Sequence, residues 1–411
     1  MNDVYTPKQR DLMRLWQSGK LKRINLLEGS VRSGKTWISL VLWAFWVATM
    51  PKDGNYLMVA KTLTSLRRNC LDLLGELVGT KNWQYSLSRK EGRLFGRLVY
   101  LEGVNDVRAE SKIRGMTLQG AYCDELTLFT EDFFAMLLSR LSMHQAKVIA
   151  TTNPDSPGHW LKTKYMDRSA RLDMLIDTFL IEDNTFLDAE YVTQLKAEYT
   201  GIFYDRFILG KWTMAEGRIY DMFDPNVHTA DDENRPYTAW YISMDYGTQN
   251  PTAMLLWGKH EGVWYMVDEY YYSGRDNKRQ KTDEQYYADL VKFAGDRYIK
   301  NVIVDPAAAS MIACIQNHKQ YRVEGAKNDV INGIRDTATA LVTGKIRICK
   351  KCKHTLDEIN GYVWDDKAAQ RGEDKPLKEN DHAMDAMRYF VETILSRQKA
   401  GTFNRYALGI G

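Results

Sequence analysis

Eight consecutive residues constrain this chain before any other part of it does. Gly29-Ser30-Val31-Arg32-Ser33-Gly34-Lys35-Thr36 fits G-x-x-x-x-G-K-[ST] in full, between the apolar run Ile24 to Leu27 and a helical pattern opening at Lys35. Backbone N–H groups of such a loop wrap phosphate oxygens, and the following helix adds the positive end of its dipole. Lys35 is expected to reach the β- and γ-phosphates of a nucleotide, and the Thr36 hydroxyl to bind Mg²⁺. A loop of this kind needs a strand before it and a sheet around it. Tyr56 to Ala60, Ala121 to Cys123 and Lys147 to Ala150 are further short apolar runs, each followed by polar or glycine punctuation. Residues 1–212 therefore predict an α/β unit, a parallel sheet flanked by helices.

A phosphate loop requires an acidic partner at a neighbouring strand end. Gly120-Ala121-Tyr122-Cys123-Asp124-Glu125 supplies one, although Gln119 and Gly120 interrupt the apolar run. Asp124 is placed to hold Mg²⁺ through water, and Glu125 to polarise an attacking water as general base. Thr151-Thr152-Asn153-Pro154 closes the next run. Its Thr152 and Asn153 suit sensing of a γ-phosphate, and equally suit a capping turn. Upstream, Tyr5-Thr6-Pro7-Lys8-Gln9 fits two readings. Gln9 can bond an adenine edge while Tyr5 stacks on it, or Thr6-Pro7 is an ordinary helix start.

Around 213–236 the pattern breaks into a polar connector containing Asp231-Asp232-Glu233-Asn234. Ala239 to Asp245, Ala253 to Gly258 and Val263 to Tyr272 then read as an antiparallel meander. Asp245 ends one apolar strand, Asp305 ends another (Asn301 to Val304), and Asp385 lies in a final helix from about Asn380 to Arg397. Spacing of i, i+3 puts His382 and Asp385 on one helix face. Three carboxylates from two strands and a helix suit a pair of divalent ions about 4 Å apart, of the kind that clamps a phosphodiester. An oxygen ligand set favours Mg²⁺ or Mn²⁺ over zinc. Cys349-Lys350-Lys351-Cys352 is a lone C-x-x-C without the second pair that structural zinc requires.

Composition bears on partners and compartment. A chain of 411 residues exceeds one ordinary domain, and its formal charge of +3 rules out a histone-like polycation without excluding a local basic track. Basic candidates for phosphate contacts are Arg275, Lys278 and Arg279, and the acid-free stretch 343–354 with Lys345, Arg347, Lys350, Lys351 and Lys353. Five scattered cysteines point to a reducing compartment. Met1 to Lys20 carries no signal-peptide-like core, and the longest apolar stretch, Trp37 to Met50, suits a buried helix better than a membrane span.

These motifs together resemble the large terminase subunit of tailed bacteriophages, from the Tyr5–Gln9 cluster through to the Asp385 helix. The stretches 182–187 and 206–212 are similar to the segment that closes the family's ATPase domain. The resemblance implies a P-loop ATPase with an added catalytic glutamate (ASCE type) over 1–212, and a linker over 213–236. It further implies a ribonuclease-H-like mixed α/β nuclease domain over 237–395 and a basic tail over 396–411. By the same resemblance, Tyr5 and Gln9 contact adenine; Gly29, Ser30, Arg32, Ser33, Gly34, Lys35 and Thr36 form the nucleotide loop; and Asp124 and Glu125 are metal holder and catalytic glutamate. Thr151 to Asn153 couple hydrolysis to movement, Asp245, Asp305 and Asp385 bind the nuclease metals, and Arg114, with Arg32 as rival, acts on a neighbour's nucleotide. ATP, Mg²⁺ and two Mg²⁺ or Mn²⁺ ions are the implied cofactors. The implied partners are double-stranded DNA, a small terminase subunit, a portal protein and further copies in a ring. The implied setting is the host cytoplasm, transiently at the portal vertex of the procapsid, with no membrane. Two other readings remain: a helicase–nuclease of DNA repair or recombination, which calls for helicase motifs that 1–212 lack, and a nucleotide-switched clamp, against which Glu125 speaks.

Overall fold

The computed structural model describes residues 4–105, 109–247, 250–275 and 279–396. Two compact units separate, one drawn from Met1–Thr193, Ile202–Met214 and Gln370–Glu373, the other from Gln194–Gly201, Ala215–Ala369 and Asp374–Gly411.

Eight strands build the sheet of the first unit: β1 (Ile24–Gly29), β2 (Tyr56–Ala60), β3 (Trp83–Ser86), β4 (Glu91–Leu94), β5 (Arg97–Gly103), β6 (Gly120–Cys123), β7 (Lys147–Thr151) and β8 (Met174–Phe179). Their order is β3-β4-β5-β2-β6-β7-β1-β8. From β5 to β8 every pairing is parallel, and β3 and β4 extend the edge as an antiparallel ribbon. Both faces are covered, which is why β1, β2 and β6 read as continuous apolar runs. Leu27, Tyr56, Met58, Tyr122 and Ile149 point to one core, with the helix Lys35–Thr49. Leu26, Leu57, Val59, Ala121, Cys123 and Val148 point to the other, with Phe133, Phe134 and Leu137 of the helix Glu131–Arg140. Gln119 stays outside β6, its amide donating to the His144 carbonyl at 2.7 Å, so the short strand is wholly buried.

The second unit has a mixed seven-stranded sheet, made of β9 (Thr229–Ala230), β10 (Ala239–Asp245), β11 (Thr252–His260), β12 (Val263–Tyr272), β13 (Ile299–Val304), β14 (Val323–Gly325) and β15 (Ile346–Cys349). The order is β14-β13-β10-β11-β12-β15-β9. The expected meander is β10-β11-β12, and β13 and β14 add in parallel beside β10. This is the ribonuclease-H-like mixed α/β architecture implied above. The helix His382–Phe390 lies on the meander, with Phe390 stacked on Trp257 at 4.1 Å between ring centroids.

The connector expected over 213–236 is largely built into this second unit. Ala215, Ile219, Tyr220 and Phe223 are buried, Arg218 bridges to Val363, and β9 pairs with β15. Its apolar side chains need a core, which the acidic run at 231–234 obscures in the sequence. The tail residues Arg397, Lys399 and Arg405 lie outside the described residues.

Candidate functional site

In the first unit β1 lies beside β7, and β7 beside β6. Parallel strands deliver their carboxyl ends to one edge, so the loop after β1, Asp124-Glu125 after β6 and Thr152-Asn153 after β7 converge there. Gly29 and Gly34 take φ of 125° and 85°. A Cβ on Gly29 would stand 2.1 Å from the Phe179 carbonyl oxygen, so only glycine fits that turn. Ser33 Oγ closes the loop on the Ser30 carbonyl at 2.9 Å, and Ser30 itself is buried.

Lys35 is 6% exposed, and its ammonium folds back on the loop carbonyls of Ser30 (2.6 Å) and Gly29 (3.2 Å). It also donates to Asn153 Oδ1 at 3.1 Å, while Asn153 Nδ2 donates to Glu125 Oε2 at 3.1 Å. One amide therefore joins the phosphate-loop lysine to the proposed base. Burial lowers the Lys35 pKa to about 8, against the attraction of Glu125, Glu28 and Asp124. Burial, and then the neighbouring Asp124, push Glu125 up to about 7. Asp124, 2% exposed, is raised by burial and accepts hydrogen bonds from Thr151 Oγ1 (3.0 Å) and Asn69 Nδ2 (3.2 Å). Thr36 sits next to Lys35 in the first helical turn. A carboxylate and a hydroxyl are hard oxygen donors of the kind Mg²⁺ takes, so the residues present fit that ion.

The other expected nucleotide residues divide. Thr152 Oγ1 is held by the Thr127 N–H (3.1 Å) and hydroxyl (2.8 Å), tying β7 to the segment after Glu125. Thr6 and Gln9 form a capping box on the helix Pro7–Gln17, with Gln9 Oε1 accepting from Thr6 N at 3.0 Å. The helix-start reading is thus realised, and Gln9 Nε2 still lies against the loop, 2.8 Å from where a Gly34 Cβ would be. Tyr5 meets Trp37 edge-on at 5.7 Å. Arg32 lies within the loop, with φ 57° and its carbonyl accepting from Asn184 Nδ2 at 2.7 Å. Arg114 is not brought to this group of residues. Its guanidinium pairs with Glu110 at 2.7 Å on an exposed face.

In the second unit Met244 of β10 is in register with Val304 of β13, so Asp245 and Asp305 emerge side by side. The helix His382–Phe390 completes the group: His382 Nδ1 and Asp245 Oδ2 are 2.9 Å apart. Asp385 Oδ1 accepts from Arg388 Nη2 and its Oδ2 from Lys378 Nζ, both at 2.9 Å. Asp305 Oδ2 accepts from Tyr389 Oη and Asn328 Nδ2, both at 2.8 Å. Asn328 Oδ1 takes Arg388 Nη2 at 2.9 Å, so Asp385 and Asp305 are linked through Arg388 and Asn328. Burial raises Asp245, with the charge of Asp385 adding to the effect and the His382 bond opposing it. Burial works against charge on His382, but Asp245, with Asp381 and Glu358 adding, outweighs it and the imidazole is raised. The Tyr389 phenol is raised by burial and then by the charges of Asp245, Asp385 and Asp305.

This donor set fits divalent ions of the Mg²⁺ or Mn²⁺ kind, since it is dominated by carboxylate oxygens. Asp385 Oδ2 is paired with Lys378, whose 59% exposed side chain also pairs with Asp381 at 2.9 Å. Sequence reasoning missed Tyr389, Arg388, Asn328, Lys378 and Glu358. Arg388 and Tyr389 were legible as i+3 and i+4 neighbours of Asp385, whereas the others carry no local signal. Glu358, 6% exposed, accepts from the Ala383 (2.7 Å) and Met384 (3.3 Å) N–H groups and from Tyr271 Oη (2.8 Å). It thereby caps the helix that presents His382 and Asp385.

The basic stretch expected at the surface is partly neutralised. Lys350 pairs with Asp231 (2.6 Å) and Lys351 with Asp268 (3.2 Å), and Arg347 bonds the Val227 carbonyl. Lys345, Lys353, Arg275 and Arg279 are exposed, and Lys278 lies outside the described residues. Cys349 and Cys352 are buried, with Cys352 Sγ directed at the Met266 carbonyl, so this pair is core.

A family model described as "Terminase large subunit, T4likevirus-type, N-terminal" matches residues 26–226. The solved large terminase of a thermophilic bacteriophage is similar at 40% identity and TM-score 0.91, over 96% of this chain and all (100%) of that one. The same phage protein in complex with ATP-γ-S aligns with TM-score 0.89 and 40% identity, over 95% and 99% of the two chains. The "Terminase, large subunit" of Escherichia phage T5 is 24% identical over 282 residues, which are 64% of this chain and 61% of the T5 protein. The alignment thus spans less than two thirds of that relative.

Proposed function

The chain belongs to the large terminase subunit family, and on that premise we propose that it is an ATP-hydrolysing DNA-packaging motor subunit that also cuts DNA. The observation that carries the ATPase reading is the hydrogen-bonded line Lys35–Asn153–Glu125 at the carboxyl edge of the parallel sheet. A nucleotide's phosphates offer the Lys35 ammonium stronger acceptors than the loop carbonyls it now bonds. Moving Lys35 onto them loosens its bond to Asn153, and Asn153 then orients Glu125 toward the attacking water. Glu125, desolvated and near neutrality in pKa, takes that water's proton. Mg²⁺ held by Thr36 and Asp124 would neutralise charge on the β- and γ-phosphates. Glu125→Gln should abolish ATP turnover while nucleotide still binds, and unchanged turnover would remove Glu125 from this role.

The second reaction rests on Asp245, Asp305 and Asp385. Two Mg²⁺ or Mn²⁺ ions bound there would stabilise the attacking and leaving oxygens of a phosphodiester in endonuclease cutting of concatemeric DNA. His382 holds Asp245 in place, and Tyr389 and Asn328 hold Asp305. Digestion of plasmid in Mn²⁺ by wild type and by Asp305→Asn tests this; persistent cutting by the variant would discard the site. The proposed substrate is double-stranded DNA of any sequence, gripped mainly through phosphates. Translocation into a procapsid further requires a portal protein, a small terminase subunit and a ring of copies in the host cytoplasm. We infer that Arg114, paired with Glu110 on an exposed face of its own chain, serves a neighbour's nucleotide in such a ring. A rise of specific ATPase rate with protein concentration that Arg114→Ala removes would support this, and a rate independent of concentration would count against it.

A further inference from the structure

Away from both acid groups, two helices of the second unit bring together three side chains of a different chemistry. Cys314 and His318 stand one turn apart on the helix Ala309–His318, and Glu284 lies in the first turn of the helix Asp283–Ala294. Glu284 Oε1 is 3.5 Å from Cys314 Sγ, and Oε2 is 2.8 Å from His318 Nε2. Among the described residues this is the one Glu/Asp/Cys/His trio whose ligand atoms all lie within 4.8 Å of one another while including a thiol and an imidazole. The imidazole is held flat against the Tyr287 ring, 3.8 Å between centroids and 5° between planes. Tyr287 is itself buried and anchored through its hydroxyl to Gln320 Oε1 at 2.9 Å.

We propose that Glu284, Cys314 and His318 form a zinc site that clasps these two helices, with water as the fourth ligand. A thiolate, an imidazole and a carboxylate in an open three-residue arrangement are a zinc donor set. The oxygen-rich acids around Asp245 select harder ions, so the two sites divide metals by softness. Binding replaces the Cys314 thiol proton, which leaves to solvent, and takes the Nε2 lone pair of His318 with the ring hydrogen on Nδ1. Helix i, i+4 spacing fixes two ligands on one element, so only Glu284 has to follow from the other.

The full-length protein, stripped with EDTA and dialysed, is titrated with Co²⁺ and then with Zn²⁺. One Co²⁺ per chain should bind with a sulfur-to-cobalt charge-transfer absorption that Zn²⁺ abolishes, and Zn²⁺ should raise the melting temperature. Cys314→Ser and His318→Gln should each weaken binding by about tenfold or more. Both substitutions keep size close, and His318 is at an exposed helix end, so folding of the second unit is checked by a wild-type circular dichroism spectrum and wild-type DNA cleavage. Asp245→Asn should leave the absorption intact, because no sulfur lies in that group. Absence of the charge-transfer absorption overturns the proposal, as does an absorption undiminished in both variants, which would mean adventitious metal on other thiols.

Discussion

At the scale of single residues, the nucleotide group trades stability for function. A carboxyl whose pKa rises on folding, as Glu125 does to about 7 from 4.5, favours its neutral form in the native state. Its charge therefore costs nothing at low pH, costs more as pH climbs from 4.5 to 7, and is a constant burden of up to a few kcal/mol above that. Glu125→Gln is expected to raise the melting temperature of the nucleotide-free protein at pH 8 but little at pH 5, as a scan at both values would read. Asn153→Ala removes the amide shared by Lys35 and Glu125. It should lower ATP turnover by about 10²-fold or more, the range of a missing positioning or acid–base group, while nucleotide binding measured by fluorescence changes far less. Lys35, Asp124 and Glu125 were legible from the sequence because each sits at a fixed place in a strand-end motif. Their protonation bias was not, since it arises from burial by residues far away in the chain.

At the scale of elements, the helix His382–Phe390 is the piece on which the second group depends. Its buried first-turn N–H groups, which have no partner within the helix, are taken by Glu358 from another helix, Lys353–Gly361. Glu358→Ala should destabilise the protein by about 1–3 kcal/mol, the penalty for buried donors left unpaired, and should reduce cleavage without touching ATPase. Arg388 approaches Gly333 so closely that a Cβ there would stand 2.3 Å from Arg388 Cγ. Gly333→Ala should thus displace the guanidinium from Asp385 and cost about 1–3 kcal/mol of overpacking, measured by urea unfolding. The i, i+3 pairing of His382 with Asp385 predicted which face of this helix turns toward the acid group. Nothing local predicted Glu358 or Gly333, because both meet it only through tertiary packing.

For the whole molecule, the two proposed chemistries fall on two separate sheets, and each should fail alone. Asp245→Ala is expected to stop cutting with ATP turnover intact, and Lys35→Ala to do the reverse, in parallel assays of one preparation. DNA affinity should fall steeply with salt, as phosphate neutralisation requires. Lys350→Ala and Lys351→Ala should change the salt slope little, because Asp231 and Asp268 already answer those charges. Lys345→Ala and Lys353→Ala should change it more, by about one unit for each phosphate that is no longer neutralised.

What the sequence by itself determined is the set of chemical groups and the strand or helix end that bears each. The pattern G-x-x-x-x-G-K-T, the acid pair at 124–125 and the acids at 245, 305 and 385 are local, and local patterns survive reading one residue after another. Only the tertiary structure decided who partners whom. Asn153 joins Lys35 to Glu125, Arg388 and Asn328 join Asp385 to Asp305, and residues 215–230 join the second unit instead of linking it. The physical reason is common to all three. Burial and hydrogen-bond satisfaction act through space, between residues that the chain order keeps far apart.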